Sequence, residues 1–450
     1  MSTYREPVPA AQAAAAGLVT TAQLTAAIDA IPANEWEFRP EDYGAVGDNS
    51  TDDTAAINLC IAAAVAWATG ASGNYYCEIV FSPGKTYVVS SATTKGGAGQ
   101  GNAQIPLPAI ATTGKKLTLV LRGGKGSDTF AHWEQTVGQV AGATIRTTLT
   151  GLSADGTWGA PSVVGGPTAG DFSGGNAFSN LRIVVDGVNV VAPFDPGIIA
   201  WDFLKCAHTH VINAGAFGNA GPAGSPALTT IPTNTLGMGL RASQNLNNAE
   251  CFVGVFSCEG FYYGVQMGEH FTALRINCIY VNTGLLTGVG GGIYHGGTIQ
   301  YACVEQCVDA VASLGNNAGT WPLAIDYLDT EMTTNVINDP FNNYTGQIYW
   351  SDTTGSGLPV VTGATRLRLY SMNPSGNPGA KTAPSVPATT VAHTNAFWRD
   401  CVVTVTGGTV TAIAVDGQTT GLTSGTVIVP TGKTITLTYS DAPTWKWWAL

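Results

Sequence analysis

Basic charge is what this 450-residue chain has least of. Its 19 Lys and Arg stand against 30 Asp and Glu, a formal net charge of −11, and charged residues make up only 11% of it. Such a chain has no electrostatic attraction for nucleic acid or anionic lipid, and neither is an expected partner. No apolar run reaches the ~20 residues that span a bilayer, so no membrane insertion is expected. The opening residues hold one Arg and an Ala-rich stretch interrupted by Gln12, and they read as no secretory signal. Nine cysteines are present, an odd number with no Cys-x-x-Cys pair. Several, such as Cys258, Cys278 and Cys303, sit in strand-like runs and read as buried free thiols rather than disulfides or zinc ligands. His208 and His210 share a strand face and His270 follows Glu269, but no third ligand completes a metal site, so no metal is expected. Gly290-Gly291-Gly292 and Gly123-Gly124-Lys125-Gly126 lack the strand and helix context of a nucleotide site, so no cofactor is expected either.

What is abundant is glycine, at 57 residues, with Ser, Thr and Asn, on a background that is 44% hydrophobic. That mixture suits short strands joined by tight turns, because Gly and Asn accept positive φ. Residues 1–38 stand apart. Leu24, Ile28 and Ile31 fall at helical spacing behind Thr20 and Thr21, in a stripe too short to hold a lone helix in water. The segment reads either as an anchor that packs on sister chains or on a docking protein, or as a frayed tail.

Residues 39–90 are the most informative. Asp42 to Asp48 is turn-rich, and Ser50-Thr51-Asp52-Asp53 offers N-caps and first-turn carboxylates. Ile57, Ile61, Ala64, Val65 and Ala68 then predict an amphipathic helix over about 52–69. Glu78 to Phe81 and Thr86 to Val89 predict two strands about the Ser82-Pro83-Gly84-Lys85 turn. The run DYGAVGDNSTDDTAAINLCIAAA followed by IVFSPGKTYVVS resembles the opening of the pectate-lyase-like parallel β-helix superfamily, the rhamnogalacturonase-type fold that also includes many bacteriophage tailspikes. The resemblance covers about fifty residues. It implies a right-handed parallel β-helix whose open end this helix covers, and it makes Asp52 and Asp53 helix-capping residues rather than a catalytic dyad.

The middle of the chain repeats as such a solenoid should. Cys258, Val281, Val304 and Leu328 align at spacings of 23, 23 and 24 residues, and Ile212 lies 46 before Cys258. The expected class is therefore all-β: a short N-terminal helical segment (1–38), a parallel β-helix (39–370), a proline-rich linker (371–395) and a small C-terminal antiparallel β module (396–450). Gly-, Ala-, Pro- and Thr-rich insertions at about 91–113, 151–176 and 218–237 read as external loops. The final Trp445-Lys446-Trp447-Trp448 reads as a core or trimer plug before a sugar platform.

Cleavage of a glycosidic bond needs two carboxyls flanking it. The repeat predicts Glu259, Asn282, Glu305 and Asp329 in one column, with Asp326 on the same segment as Asp329. One acid would protonate the leaving oxygen and another would activate water. Tyr262, Tyr263, Tyr280, Tyr327 and Trp321 offer faces for sugar rings. The competing reading of the column is a polar ladder, which Asn213 and Asn282 would suit. The resemblance implies a phage tailspike, made in the host cytoplasm and carried on the virion tail. It would be a homotrimer, attached to a tail or baseplate protein through its N-terminal segment, that binds a bacterial surface polysaccharide (capsule or lipopolysaccharide) and depolymerises it. A hydrolase is expected ahead of a lyase, because Arg275 is the nearest basic residue. A non-catalytic receptor-binding spike or fibre is the alternative. A free secreted enzyme is disfavoured by the expected lack of a signal and by the added terminal segments.

Overall fold

A computed structural model describes residues 36–450, apart from 72, 91–102, 109, 111–114, 125–141, 150–161, 167–178, 219–230, 244–249, 288–295, 316–320, 353–359, 364–365, 372–378, 396 and 398–399. The predicted N-terminal anchor helix and most of the insertions lie outside those residues.

The body is a parallel β-helix. The chain alternates between two parallel sheets, leaving a strand in one and then in the other, so that strands adjacent in each sheet come from successive coils. The longer sheet runs in register through Cys206–Phe217, Glu250–Glu259, Phe271–Ile279, Gly297–Glu305, Trp321–Glu331 and Tyr344–Asp352. The shorter sheet takes the intervening strands, among them Met238–Arg241, Tyr263–Gln266, Thr283–Thr287, Asp309–Ser313 and Asn335–Asp339. Between them one continuous core holds Val253, Phe256, Cys278, Leu285, Val304, Val311 and Leu328. No described helix is long and apolar enough to cross a membrane.

The coils are unequal, which corrects the predicted register. The layered column is Cys258, Cys278, Val304 and Thr330, with steps of 20, 26 and 26 residues between those numbers. Val281 is buried at a corner instead, and Leu328 pairs with Ala302 and Trp350. A mean period hides such differences, because residues added at a corner shift the numbering without disturbing the stack.

Five successive strands of the long sheet, from Cys206–Phe217 to Trp321–Glu331, also bend once, whereas Tyr344–Asp352 keeps plain alternation with Ile348 and Trp350 both inward. In the five, inward residues are spaced three apart at one point instead of two: Val211 and Ala214, Val253 and Phe256, Ala273 and Ile276, Ile299 and Ala302, Ile325 and Leu328, all in the core. Two consecutive side chains therefore turn outward at the bend, Leu274 and Arg275, Gln300 and Tyr301, Asp326 and Tyr327. Strict alternation would bury Asp326. The bend exposes it, and the ladder shifts register between Ile325 and Leu328.

The helix Thr54–Ala66 packs against Tyr76–Val80 and Ala103–Pro106. Three consecutive residues, Leu59, Cys60 and Ile61, are buried, so it is covered on more than one face. It passes into a π-turn, Trp67–Ala71, whose buried Trp67 meets Phe38 edge-on at 5.8 Å. Of the paired aspartates only Asp52 bonds the helix start through its side chain; Asp53 occupies the N-cap position without capping it. Asp52 accepts from the Thr54 amide at 3.0 Å. Asp53 is buried and accepts instead from the amides of Val46, at 2.6 Å, and Gly47, at 3.2 Å, tying the preceding turn to the helix start.

The C-terminal module is two four-stranded antiparallel sheets, and the stretch predicted as linker contributes to both. Gly379–Lys381 pairs with Thr444–Ala449, and Ala392–Thr394 with Thr434–Asp441. Trp445 and Trp447 are buried with Val403, Ile413 and Leu437, and the Trp445 indole N–H donates to the Pro384 carbonyl at 2.7 Å. Trp448, 55% exposed, faces out.

Candidate functional site: an acid pocket on the long sheet

Past the bend, alternate side chains of the long sheet point outward in rows set by the strand register. One row is Ser257, Asn277, Cys303 and Asp329. The next is Glu259, Ile279, Glu305 and Glu331. These rows, Glu331 excepted, and the bend residues Arg275 and Tyr301 line a pocket of about 160 Å³ that holds Glu259, Glu305 and Asp329 together. Three of the four predicted acids thus converge, though not in one column. Asn282 is not in the pocket. It sits at the corner before Thr283–Thr287, where its carbonyl accepts from the Val308 and Asp309 amides. Asn213 pairs with Val255, so the proposed Asn ladder does not form there. A polar ladder does exist on the short sheet, where Asp309 accepts from the side-chain amides of Asn335, at 2.7 Å, and Asn338, at 2.9 Å. Asp326 stands exposed at the bend, outside the pocket.

The three acids differ in surroundings. Glu259 is 5% exposed, and burial alone pushes its carboxyl up to about 7. Desolvation disfavours the ionised form, and no opposing charge offsets it here. Glu305 accepts from the Cys303 thiol at 2.7 Å. That thiol stays protonated, because burial first and then Glu305 raise its pKa. Across the floor the Asn277 amide donates to Ser257 Oγ at 3.3 Å, and the Arg275 guanidinium donates to Asn277 Oδ1 at 3.3 Å. Arg275 lies 4.9 Å from the Tyr301 ring centre, and Tyr301 stacks on Tyr327 at 5.4 Å and 9°. A cation and two rings thus form one stack along the bend, beside the acids.

The corner after the acid row repeats from coil to coil. Gly260, Tyr280, Gln306 and Met332 all have positive φ. The Gly218, Gly260, Tyr280 and Gln306 amides donate in turn to the carbonyls of Glu259, Tyr280, Glu305 and Glu331. At the tightest point only glycine fits, since a Cβ at Gly260 would stand 2.5 Å from the Gly218 carbonyl oxygen. This left-handed column fixes the height at which each acid row ends.

The predicted sugar platforms separate. Tyr327 is half-buried in the stack just described. Tyr280 is half-buried in the left-handed corner, next to the pocket-lining Ile279. Trp321 is core, 3% exposed and edge-on to Tyr344, so it presents no face to a ligand. Tyr262 and Tyr263 meet edge-on at 4.6 Å in an apolar cluster of the short sheet with Met238 and Leu286, away from the acids. Sequence reasoning gave no role to Tyr301 or Asn277, although Tyr301 lies on the same strand as Glu305. Among the described residues no group of His, Cys, Asp and Glu has a metal-binding arrangement.

Fold and site together define a parallel β-helix protein with an acidic pocket on its outer wall. No protein-family model and no curated protein matches the chain. Among solved structures it is similar to the tailspike protein of Acinetobacter phage vB_ApiP_P1, with a TM-score of 0.37 and 11% identity, over 92% of this chain and 86% of that one.

Proposed function

We propose that this protein is a bacteriophage tailspike of the pectate-lyase-like kind, and that its acid pocket hydrolyses a bacterial surface polysaccharide. The fold reading rests on the parallel coils together with the helix-capped opening, whose sequence resembles that superfamily. The catalytic reading rests on one observation: Glu259, a buried carboxyl with its pKa raised to about 7, shares a pocket with Glu305 and Asp329. A carboxyl still protonated near neutral pH suits a general acid. In this reading Glu259 protonates the leaving oxygen and Glu305 activates water. Their strands are alternate, so their backbones stand two interstrand steps or roughly 9.6 Å apart. That spacing suits inversion, for which the carboxyls lie about 6.5–9.5 Å apart, better than retention at about 5 Å. The Tyr301–Tyr327 stack borders the subsite. The spike acts as a homotrimer and joins the tail through its N-terminal segment.

The test is incubation of the purified protein with capsules and lipopolysaccharides from candidate hosts. New reducing ends from one glycan, lost in Glu259→Gln and in Glu305→Gln with secondary structure unchanged, support the reading. A protein that binds a host glycan without cleaving it is instead the non-catalytic receptor-binding spike.

A further inference from the structure

On the other limb of the bent sheet, before the bend, lies a second concavity of about 720 Å³. Its chemistry is opposite to that of the acid pocket. The floor carries little side chain, because Gly296, Gly297, Ala324 and Gly346 fall there. It cannot simply fill in, since a Cβ at Gly346 would come within 2.3 Å of the Leu323 carbonyl oxygen. One register row crosses it: Thr272, Thr298, Ala324, Gln347 and Arg368. Arg366 stands beside Arg368 at its end, and the lining contains no carboxylate. Both arginines are exposed, and neither has a hydrogen-bond or ion-pair partner among the described residues. In a chain with 19 basic against 30 acidic residues, two guanidiniums with no ion-pair partner among the described residues, in a groove whose lining holds no carboxylate, suit an anion from outside. Guanidinium forks match carboxylate geometry, and Thr and Gln side chains suit hydroxyls.

We propose that this groove is a second glycan site, separate from the acid pocket, that binds a carboxylate-bearing stretch of polysaccharide. Thr298, at the groove, and Glu305, at the pocket, are seven residues apart on one strand, roughly 23 Å at about 3.3 Å per residue. Binding here and cleavage there are therefore independently measurable. The site deepens the polysaccharide reading above by naming the substrate class, but it does not require that the acid pocket be catalytic.

The experiment uses the full chain and purified bacterial capsular and lipopolysaccharide glycans, each native and after chemical reduction of its carboxyls to alcohols. Binding is measured by calorimetry on the Glu259→Gln background, so that no ligand is consumed. The expected result is binding to a native acidic glycan that weakens with added salt and is lost on carboxyl reduction. Arg366→Gln with Arg368→Gln should weaken it about tenfold per guanidinium. Thr298→Trp, which fills the groove without changing charge, should weaken it as well. All three positions are exposed, so the variants should fold, and light scattering checks that they assemble as the parent does. Equal affinity for reduced glycan, an unchanged affinity in both variants, no binding by any glycan, or a changed oligomeric state with glycan binding intact would each overturn the proposal. The last result would assign the groove to contact between copies of the chain. Cleavage lost in Glu259→Gln but indifferent to glycan charge would overturn this site while leaving the catalytic reading standing. Charge-dependent binding without cleavage would do the reverse.

Discussion

Glu259 and Glu305 occupy the same register position on alternate strands of the long sheet, with Ile279 between them. The apolar side chain keeps the two carboxyls from sharing a proton, and it adds to the desolvation of Glu259. A buried carboxyl and one that accepts from a thiol thus face one pocket from two coils apart, and the proposed roles of acid and base rest on that arrangement.

Glycan cleavage should therefore fall as pH rises through about 7, because Glu259 must be protonated to act as the acid. Glu259→Gln and Glu305→Gln should each lower kcat by about 10²–10⁴-fold, and Asp329→Asn should cost less. A pH–rate profile of the wild-type protein with the kinetics of the three variants checks this.

Product stereochemistry follows from the same spacing. Cleavage should invert the anomeric centre, as NMR of the first product formed would show. Retention would move the reacting pair to acids on adjacent strands.

Burying Glu259 should also weaken the fold at neutral pH. Its carboxyl titrates near its ordinary value of 4.5 when unfolded and at about 7 when folded. Between those values the native state holds a proton that the unfolded chain has released. Stability is therefore full below about pH 4.5, falls as pH rises to about 7, and is level above. The shift amounts to about 3 kcal/mol. Glu259→Gln should be more stable than wild type at pH 8, by up to that amount, and equal to it at pH 4, in denaturant unfolding at the two pH values.

Asp339 is fully buried and accepts from the Ser313 hydroxyl at 2.5 Å, the Asn343 amide at 2.9 Å and the Tyr344 amide at 2.8 Å, binding one coil to the next. Asp339→Ala strands these donors and should cost about 3 kcal/mol or more. The loss would appear as a lower midpoint in denaturant.

The left-handed corner makes a prediction about backbone alone. Gln306 holds φ at 50°, a conformation costing about 1–2 kcal/mol for an ordinary residue. Gln306→Gly should leave stability level or slightly raised, because lost strain is offset by the freer unfolded chain. Gln306→Val should lower it clearly. Melting temperatures of the two variants give the comparison.

The coiled architecture was legible because burial in a solenoid is periodic, and Cys258 and Val304, two coils apart, were correctly placed in one column. The coil between them was misplaced by three residues, Val281 for Cys278, since both are apolar and buried. Asp326 signals the bend through its charge, since an unpaired carboxylate is costly to bury at the inward position alternation would give it, but it stands outside the pocket with the other three acids. Glu259, Glu305 and Asp329 were grouped because carboxylates recur near the ends of stacked strands, and they do line one pocket, although Glu259 and Glu305 are two coils apart and Asp329 belongs to the neighbouring row. Arg366 and Arg368 were invisible as a site. Their significance lies in which strands they neighbour, and those neighbours come from residues 272 to 347.

The most direct measurement is the rate of reducing-end release from the host glycan by wild type and by Glu259→Gln, side by side at pH 6, with the two proteins shown to be equally folded. The account predicts steady release by the wild type and a loss of at least about a hundredfold in the variant. Undiminished release by Glu259→Gln, or products carrying the absorbance of unsaturated uronates, would contradict it.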